Sequence, residues 1–362
     1  MKRFSYLFLI LGFVLLQGCR NGPTSANGNN TSGWIEATGQ APWTARYGLS
    51  GAVFNNNMWV IGGASGSNPS TVSGMINAGV TQFYGDVWKS SDGKSWIQTA
   101  QPGFQGLYGG QAVSFNGNLY FIGGNNNGTL MNDVWSSPDG VTWTQILADN
   151  PAIQSNVVGG TQFCAREDFS LVVFNNLMWV IGGTPNPSNT TSIGLNDVWN
   201  SHDGITWTQV LTNSPNITIA TATTQPPARW GAAAVSFNGN FYLTCGHSSG
   251  MGLNTIDADI WSSPNGTVWT LVSNSFVNVY YHQVVVNNNA MWFTCGYAPW
   301  EGGPFNGVNS TDNGTSWTNA GTVLFPGRFG HLSLSFNNQV WIMGGCNNTD
   351  SLTYFNDVWH SP

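Results

Sequence analysis

Six times along this chain an apolar strand ends in two small residues. The first copy is Trp59-Val60-Ile61-Gly62-Gly63, and the pattern returns at Tyr120 to Gly124, Trp179 to Gly183, Tyr242 to Gly246, Trp292 to Gly296 and Trp341 to Gly345. Internal repetition is the strongest constraint a sequence can place on a fold. A second anchor precedes the first: Arg46-Tyr47-Gly48 leads to Val53-Phe54-Asn55-Asn56-Asn57, with copies starting at Leu107, Arg166, Arg229, Val279 and Arg328. A third is Asp86-Val87-Trp88, repeated at Asp133, Asp197, Asp259 and Asp357 and lost in the fifth copy as Gly307-Val308-Asn309. A fourth is a turn ending in Trp, from Ser91 to Trp96, with copies ending at Trp143, Trp207, Trp269 and Trp317. Each unit reads as four short alternating strands separated by Asn, Gly and Asp turns. Units of this kind stack radially as propeller blades.

The expected fold is therefore all-β: a six-bladed propeller of four-stranded antiparallel blades over residues 33–362. The sixth copy stops at Asp357-Val358-Trp359-His360-Ser361-Pro362, before its fourth strand. The missing Trp strand stands at the other end, as Gly33-Trp34-Ile35, so the N-terminal strand is expected to complete the last blade. Composition agrees. Hydrophobic residues make up 41% of the chain, enough to bury a large core and to exclude wholesale disorder. The 18 Trp are explained by the repeat, because second, third and fourth strands hold fifteen of them as filling between blades. With nine Lys and Arg and a net charge of −7, the chain offers no basic stripe for nucleic acid.

The Arg-x-Gly start, the Gly-Gly strand end and the later Trp resemble Kelch repeats, like those of the galactose oxidase central domain. The turn from Ser310 to Trp317 is also similar to the Asp box of sialidases, which is a turn-stabilising feature.

The N-terminus carries an address. Met1-Lys2-Arg3 is a basic start, and the apolar run from Phe4 to Leu16 is too short to span a bilayer. It ends Leu16-Gln17-Gly18-Cys19, which resembles a bacterial lipobox with Cys19 as the lipidated residue. The competing reading is an ordinary signal peptide with a chance Cys. Residues 1–18 are read as the signal peptide and 19–32 as a flexible tether. Membrane attachment is then through the lipid alone, at the outer membrane, cell surface or periplasm of a bacterium, and the protein is expected to be monomeric.

Loop lengths orient the ring. The first-to-second and third-to-fourth turns are short and uniform and fall on one face. The second-to-third and fourth-to-first loops are long, dissimilar and share the other face, where function is expected. Four Arg stand at the start of first strands: Arg46, Arg166, Arg229 and Arg328. They read either as a cationic ring for an anionic ligand or as braces for backbone carbonyls and the repeated Asp. The next position is aromatic in five copies, including Tyr47 and Trp230, but is Glu167 in the third, followed by Asp168 where most copies have Gly. Glu167, Asp168 and Glu301 are the candidate acids and bases if the protein is an enzyme. Trp43 and Trp300 are candidate stacking platforms for a sugar on the long-loop face.

His282, beside Tyr281, and His331 hold matching positions in the fifth and sixth copies, and with Tyr they loosely resemble the copper ligands of galactose-oxidase-like enzymes. The companion domain of those enzymes is absent, so no metal or other cofactor is expected. Cys245 and Cys295 stand in place of the first Gly of their pairs and are expected to be buried thiols. The leading functional reading is a non-catalytic binding module for a glycan or an envelope or extracellular protein. The alternative is an enzyme acting on an anionic sugar with mutarotase-like acid–base chemistry, and a copper oxidase stands third.

Overall fold

Asn-rich two-residue turns between alternating apolar strands impose antiparallel hairpins. At Asn55 and Asn56 both φ angles are positive, 47° and 56°, as a two-residue hairpin turn compatible with strand twist requires. The same pair recurs at Asn175-Asn176, Asn288-Asn289 and Asn337-Asn338. The structure, a computed structural model, describes residues 33–66, 80–100, 102–104, 107–155, 158–185, 194–222, 224–250, 253–299, 302–320, 323–348 and 352–362. The regular elements among them are all strands, and no helix there is long and apolar enough to cross a membrane. The signal, lipobox and tether readings, Cys19 included, lie outside the described residues.

The strands form four-stranded antiparallel blades in a propeller ring. Sheet 1 contains Ser50–Phe54, Asn57–Ile61, Val87–Ser90 and Ile97–Ala100. Sheet 2 contains Gln111–Phe115, Asn118–Asn126, Thr129–Ser137 and Thr144–Leu147. Sheet 4 runs from Ala233–Phe237 to Thr270–Ser273, and sheet 5 from Gln283–Asn287 to Thr318–Asn319. Sheet 6 contains Leu332–Phe336, Gln339–Met343 and Val358–His360, and its outer strand is Ile35–Thr38 from the other end of the described chain. Ile35 pairs with His360 and Thr38 with Val358.

Sheet 3 differs. Ser170–Phe174, Leu177–Gly183, Leu195–Ser201 and Thr208–Leu211 follow the same order. However, Leu195 also pairs with Arg229, and the sheet continues through Arg229–Trp230, His247–Gly250 and Leu253–Ile256 to seven strands. This extension was not legible from the repeat, because it joins the second-to-third loop of sheet 4 to the third strand of sheet 3.

First strands pack side by side: 50–54 on 111–115, 111–115 on 170–174, 170–174 on 233–237, 233–237 on 283–287, 283–287 on 332–336, and 332–336 on 50–54. They are the inner strands. Between blades the core is aromatic. Trp59 is buried and its indole donates to the carbonyl of Phe54 at 2.9 Å. Its ring lies against Gly140 of the next sheet, where a Cβ would sit 2.2 Å from the indole. Gly93 meets Trp341 in the same way, so the glycine of the third-to-fourth turn is the socket for the second-strand Trp of the preceding blade.

Candidate functional site

The four repeated arginines are buried and matched. Arg166 donates through Nη1 and Nη2 to the two carboxylate oxygens of Asp197, both at 2.8 Å. Its Nη1 also reaches the carbonyl of Gly182 at 2.8 Å, and its Nε the carbonyl of Cys164 at 3.1 Å. Trp199 donates to the same Asp197 at 2.7 Å. Arg46 pairs in this manner with Asp86, Arg229 with Asp259 and Arg328 with Asp357. Burial opposes the charge on Arg166, but Asp197 outweighs it and holds the guanidinium more firmly protonated than usual. These arginines therefore bind the first strand, the Gly-Gly strand end and the third strand of each unit together. As they stand they present no cationic ring to a ligand, and the bracing role read from the sequence is the one their geometry performs.

Where the brace is incomplete the cost is visible. Sheet 2 has Leu107 at the arginine position, and Asp133 is left with a buried Oδ1 that finds no hydrogen-bond partner. Burial raises its pKa, opposed by bonds from Trp135 and Gln145.

Immediately before each inner strand, one backbone N–H donates to the carbonyl of the equivalent residue in the neighbouring copy. The bonds run Gly109 to Gly48 at 3.3 Å, Asp168 to Gly109 at 2.9 Å, and Gly231 to Asp168 at 2.9 Å. They continue Tyr281 to Gly231 at 2.8 Å, Gly330 to Tyr281 at 3.0 Å and Gly48 to Gly330 at 2.8 Å. All six residues have left-handed backbone, with φ between 55° and 67°. Glycine adopts this without strain, and four of the six are glycine. Asp168 and Tyr281 are the departures, and they meet: Tyr281 Oη donates to Asp168 Oδ2 at 2.8 Å. Tyr108 Oη lies 3.4 Å from Tyr281 Oη.

Around this ring sits an aromatic layer. Tyr47 and Tyr108 have centroids 5.0 Å apart, Trp230 and Tyr281 5.5 Å, and Tyr281 and Phe329 6.3 Å. Glu167 takes the place of an aromatic in this layer and is 0% exposed, while Asp168 is 7% exposed. Asn125 donates to Glu167 Oε2 at 2.9 Å, whereas Oε1 is buried with no hydrogen-bond partner. Burial, and then the charge of Asp168, push the Glu167 carboxyl well above the usual range. Burial raises Asp168 to about 7, against the pull of the Tyr281 hydrogen bond. The sequence pointed to Glu167 and Asp168 but not to Tyr281 or Asn125 as their partners. The available signal for Tyr281 was its place in the Gly48 column.

The remaining candidates fall mostly in the core. Trp43 is buried, edge-on to Trp96 at 4.5 Å, so it is a packing residue and no sugar platform in this arrangement. Tyr47 and Trp230 are buried in the aromatic layer. His282 bonds Thr244 through Nε2 at 2.7 Å, and His331 bonds Thr294 at 3.0 Å. Burial pushes His282 down to about 3, and burial, then the Arg328 charge, holds His331 well below its usual value. Among the described residues no group of three His, Cys, Asp or Glu lies together in a way that could hold a metal ion. Cys164, Cys245, Cys295 and Cys346 are buried free thiols. Trp300 and Glu301 lie outside the described residues.

The two faces differ, although in sheet 2 the expected long second-to-third loop is only the Asn127-Gly128 turn. Ser90 Oγ accepts from the Gly93 N–H at 2.8 Å, and Asp92 Oδ1 accepts from Lys94 and Ser95 at 2.8 Å each. The same net recurs around Ser137 and Asp139, and around Ser201 and Asp203. On the opposite face the fourth-to-first loops are anchored at their bases. Asn132 holds the carbonyls of Asn150 and Phe163, and Asn196 those of Ser214 and Pro226. In the fourth-to-first loops Val158 and Leu324 are 73% and 68% exposed. No family model matches the chain, and no curated protein matches it.

Proposed function

We propose that this chain is an exported, lipid-anchored binding module, a six-bladed Kelch-like propeller that recognises a glycan or an envelope protein on its long-loop face. The observation that carries this reading is the contrast between the two ends of the ring. The turns of one face repeat one hydrogen-bond net, while the loops of the other are tied at their bases and present unlike, solvent-facing tips. Solvent-facing variation on a rigid scaffold is where recognition is built. Two of the acids that an enzyme would use, Glu167 and Asp168, are buried among the aromatic layer, which favours binding over turnover.

Support for six blades comes from the six first-strand contacts and the six backbone bonds that return to Gly48. Sheet 3 counts as a blade on this reading, with its last three strands as an annex. The pairing of Ile35–Thr38 with Val358–His360 supports closure by the N-terminal strand.

The full chain, purified from membranes in detergent, is applied to a glycan array and to an array of envelope proteins. Binding to one class without consumption of the ligand is expected. Absence of binding on both arrays, or turnover of a bound sugar, contradicts the reading. For the address, Cys19→Ser should abolish incorporation of labelled palmitate, and persistent labelling contradicts the lipobox.

A further inference from the structure

We infer that Glu167 and Asp168, with the rings of Tyr108 and Tyr281, form a site for a primary ammonium group carried by the ligand. The inference rests on the binding-module reading and specifies the charge of what is bound. It reverses the sign suggested by the four arginines.

The argument begins with charge. Each arginine of the ring has its own aspartate within ion-pairing distance. Among the described residues no cation pairs with Glu167 or Asp168. Two adjacent carboxyls are thus enclosed without a counter-charge, a costly arrangement unless a proton or a cation neutralises them. A second observation points the same way. Glu167 is fully buried and Asn125 fixes its Oε2, yet Oε1 has no hydrogen-bond partner. An ammonium group supplies three N–H donors and a positive charge, which is what this oxygen and its neighbour Asp168 lack. Access is through Asp168, which keeps 7% exposure, and Tyr281, which is half-buried.

The surroundings select an organic cation. Ca²⁺ takes six to eight oxygen ligands, and the two carboxyls have no third acid or imidazole beside them among the described residues. Tyr281, hydrogen-bonded to Asp168, and Tyr108, whose Oη lies 3.4 Å from that of Tyr281, instead surround the pair with aromatic rings, which attract ammonium groups electrostatically. The groups that face the pair and titrate are Tyr47, Tyr108 and Tyr281, all raised by burial and therefore neutral at physiological pH. The pair itself is held partly protonated near neutrality, chiefly by burial. Binding of an ammonium group therefore displaces a proton from the carboxyls to solvent, and affinity rises with pH through about 7.

The test is calorimetry on the full chain at pH 6 and pH 8, with four probes. Glucosamine and N-acetylglucosamine represent a sugar source, and Nα-acetyl-lysine amide and its Nε-acetyl analogue a peptide source. Either free amine is expected to bind at least tenfold more tightly than its acetylated partner at pH 6, and the lysine probe, whose amine stays charged throughout, more tightly at pH 8 than at pH 6 and with proton release. Glu167→Gln and Asp168→Asn should each weaken it at least tenfold; Asn tolerates the left-handed backbone at 168. Thermal melting of both variants shows that they are folded. Equal binding of acetylated probes, unchanged affinity in either folded variant, or tighter occupation by CaCl₂ or KCl overturns the inference. An array partner that binds both variants as it binds the parent chain overturns the ammonium site and leaves the module reading standing. Absence of any array partner removes the module reading itself.

Discussion

Tyr281 donates a 2.8 Å hydrogen bond to Asp168 although 113 residues separate them. Each occupies a left-handed position that is glycine in the other four copies. Asp tolerates this backbone, but for a bulky residue such as Tyr it is an outlier costing about 1–2 kcal/mol. The two departures from the repeat are thus bonded to each other, and one of them, Tyr281, is strained. That combination marks the ring of backbone bonds as the place where the repeat yields to something other than packing.

The acid pair should make stability depend on pH. A carboxyl whose folded pKa is raised favours folding in its protonated form. Its contribution is complete below the unfolded value near 4 and is lost as pH rises through the folded value of about 7. The melting temperature should fall between pH 4 and pH 8, and Asp168→Asn should flatten that part of the profile. Calorimetric melts across this range provide the check.

Removing both members of a buried brace should cost less than the two single removals added together. Arg166→Ala leaves Asp197 enclosed without its partner and should cost about 3–5 kcal/mol in denaturant unfolding. The double variant Arg166→Ala, Asp197→Ala should cost less than the sum of the two single changes, because the uncompensated charge is gone.

The outer strand of sheet 6 comes from the start of the propeller. Trp34 is buried, edge-on to Phe325 at 5.3 Å, and Ile35 pairs with His360. Trp34→Ala should cost about 3–5 kcal/mol. Deleting residues 33–36 should lower the melting temperature sharply, and an unchanged melt would show that sheet 6 does not need this strand.

Gly140 accepts the ring of Trp59 and has φ of 76°. Gly140→Ala would place a Cβ 2.2 Å from that indole, so the blades must part or the ring must rotate. A loss of about 1–3 kcal/mol is expected from overpacking, with quenched or shifted Trp fluorescence as a second readout. Gly128→Ala serves as control, because it too has positive φ but a Cβ there meets nothing within 4 Å.

The all-β architecture of four-stranded blades was legible because most copies repeat the same local chemistry. Asn-Asn hairpins, Gly-Gly strand ends and Trp sockets each declare themselves within one unit. The roles of Arg46, Arg166, Arg229 and Arg328 were only half legible. Their position at the ring was clear, but their burial follows from Asp partners 29 to 40 residues downstream. The fifth copy carried the missing hint: Val279 and Gly307 show that the arginine and the aspartate are lost together. Trp43 looked like a surface platform because a loop Trp has no periodicity to reveal its packing. The Asp168–Tyr281 bond lay beyond the repeat, since it joins two copies that are not adjacent in sequence.

The most direct test is where binding is lost on the surface. Val158→Asp and Leu324→Asp change exposed positions of the fourth-to-first loops, and Val141→Asp and Ile205→Asp change exposed positions of the uniform turns. With the ligand found on the arrays, the two loop-face variants should lose at least tenfold in affinity, with melting unchanged. The two turn-face variants should bind as the parent chain does. Loss of binding confined to Val141→Asp and Ile205→Asp would contradict the account.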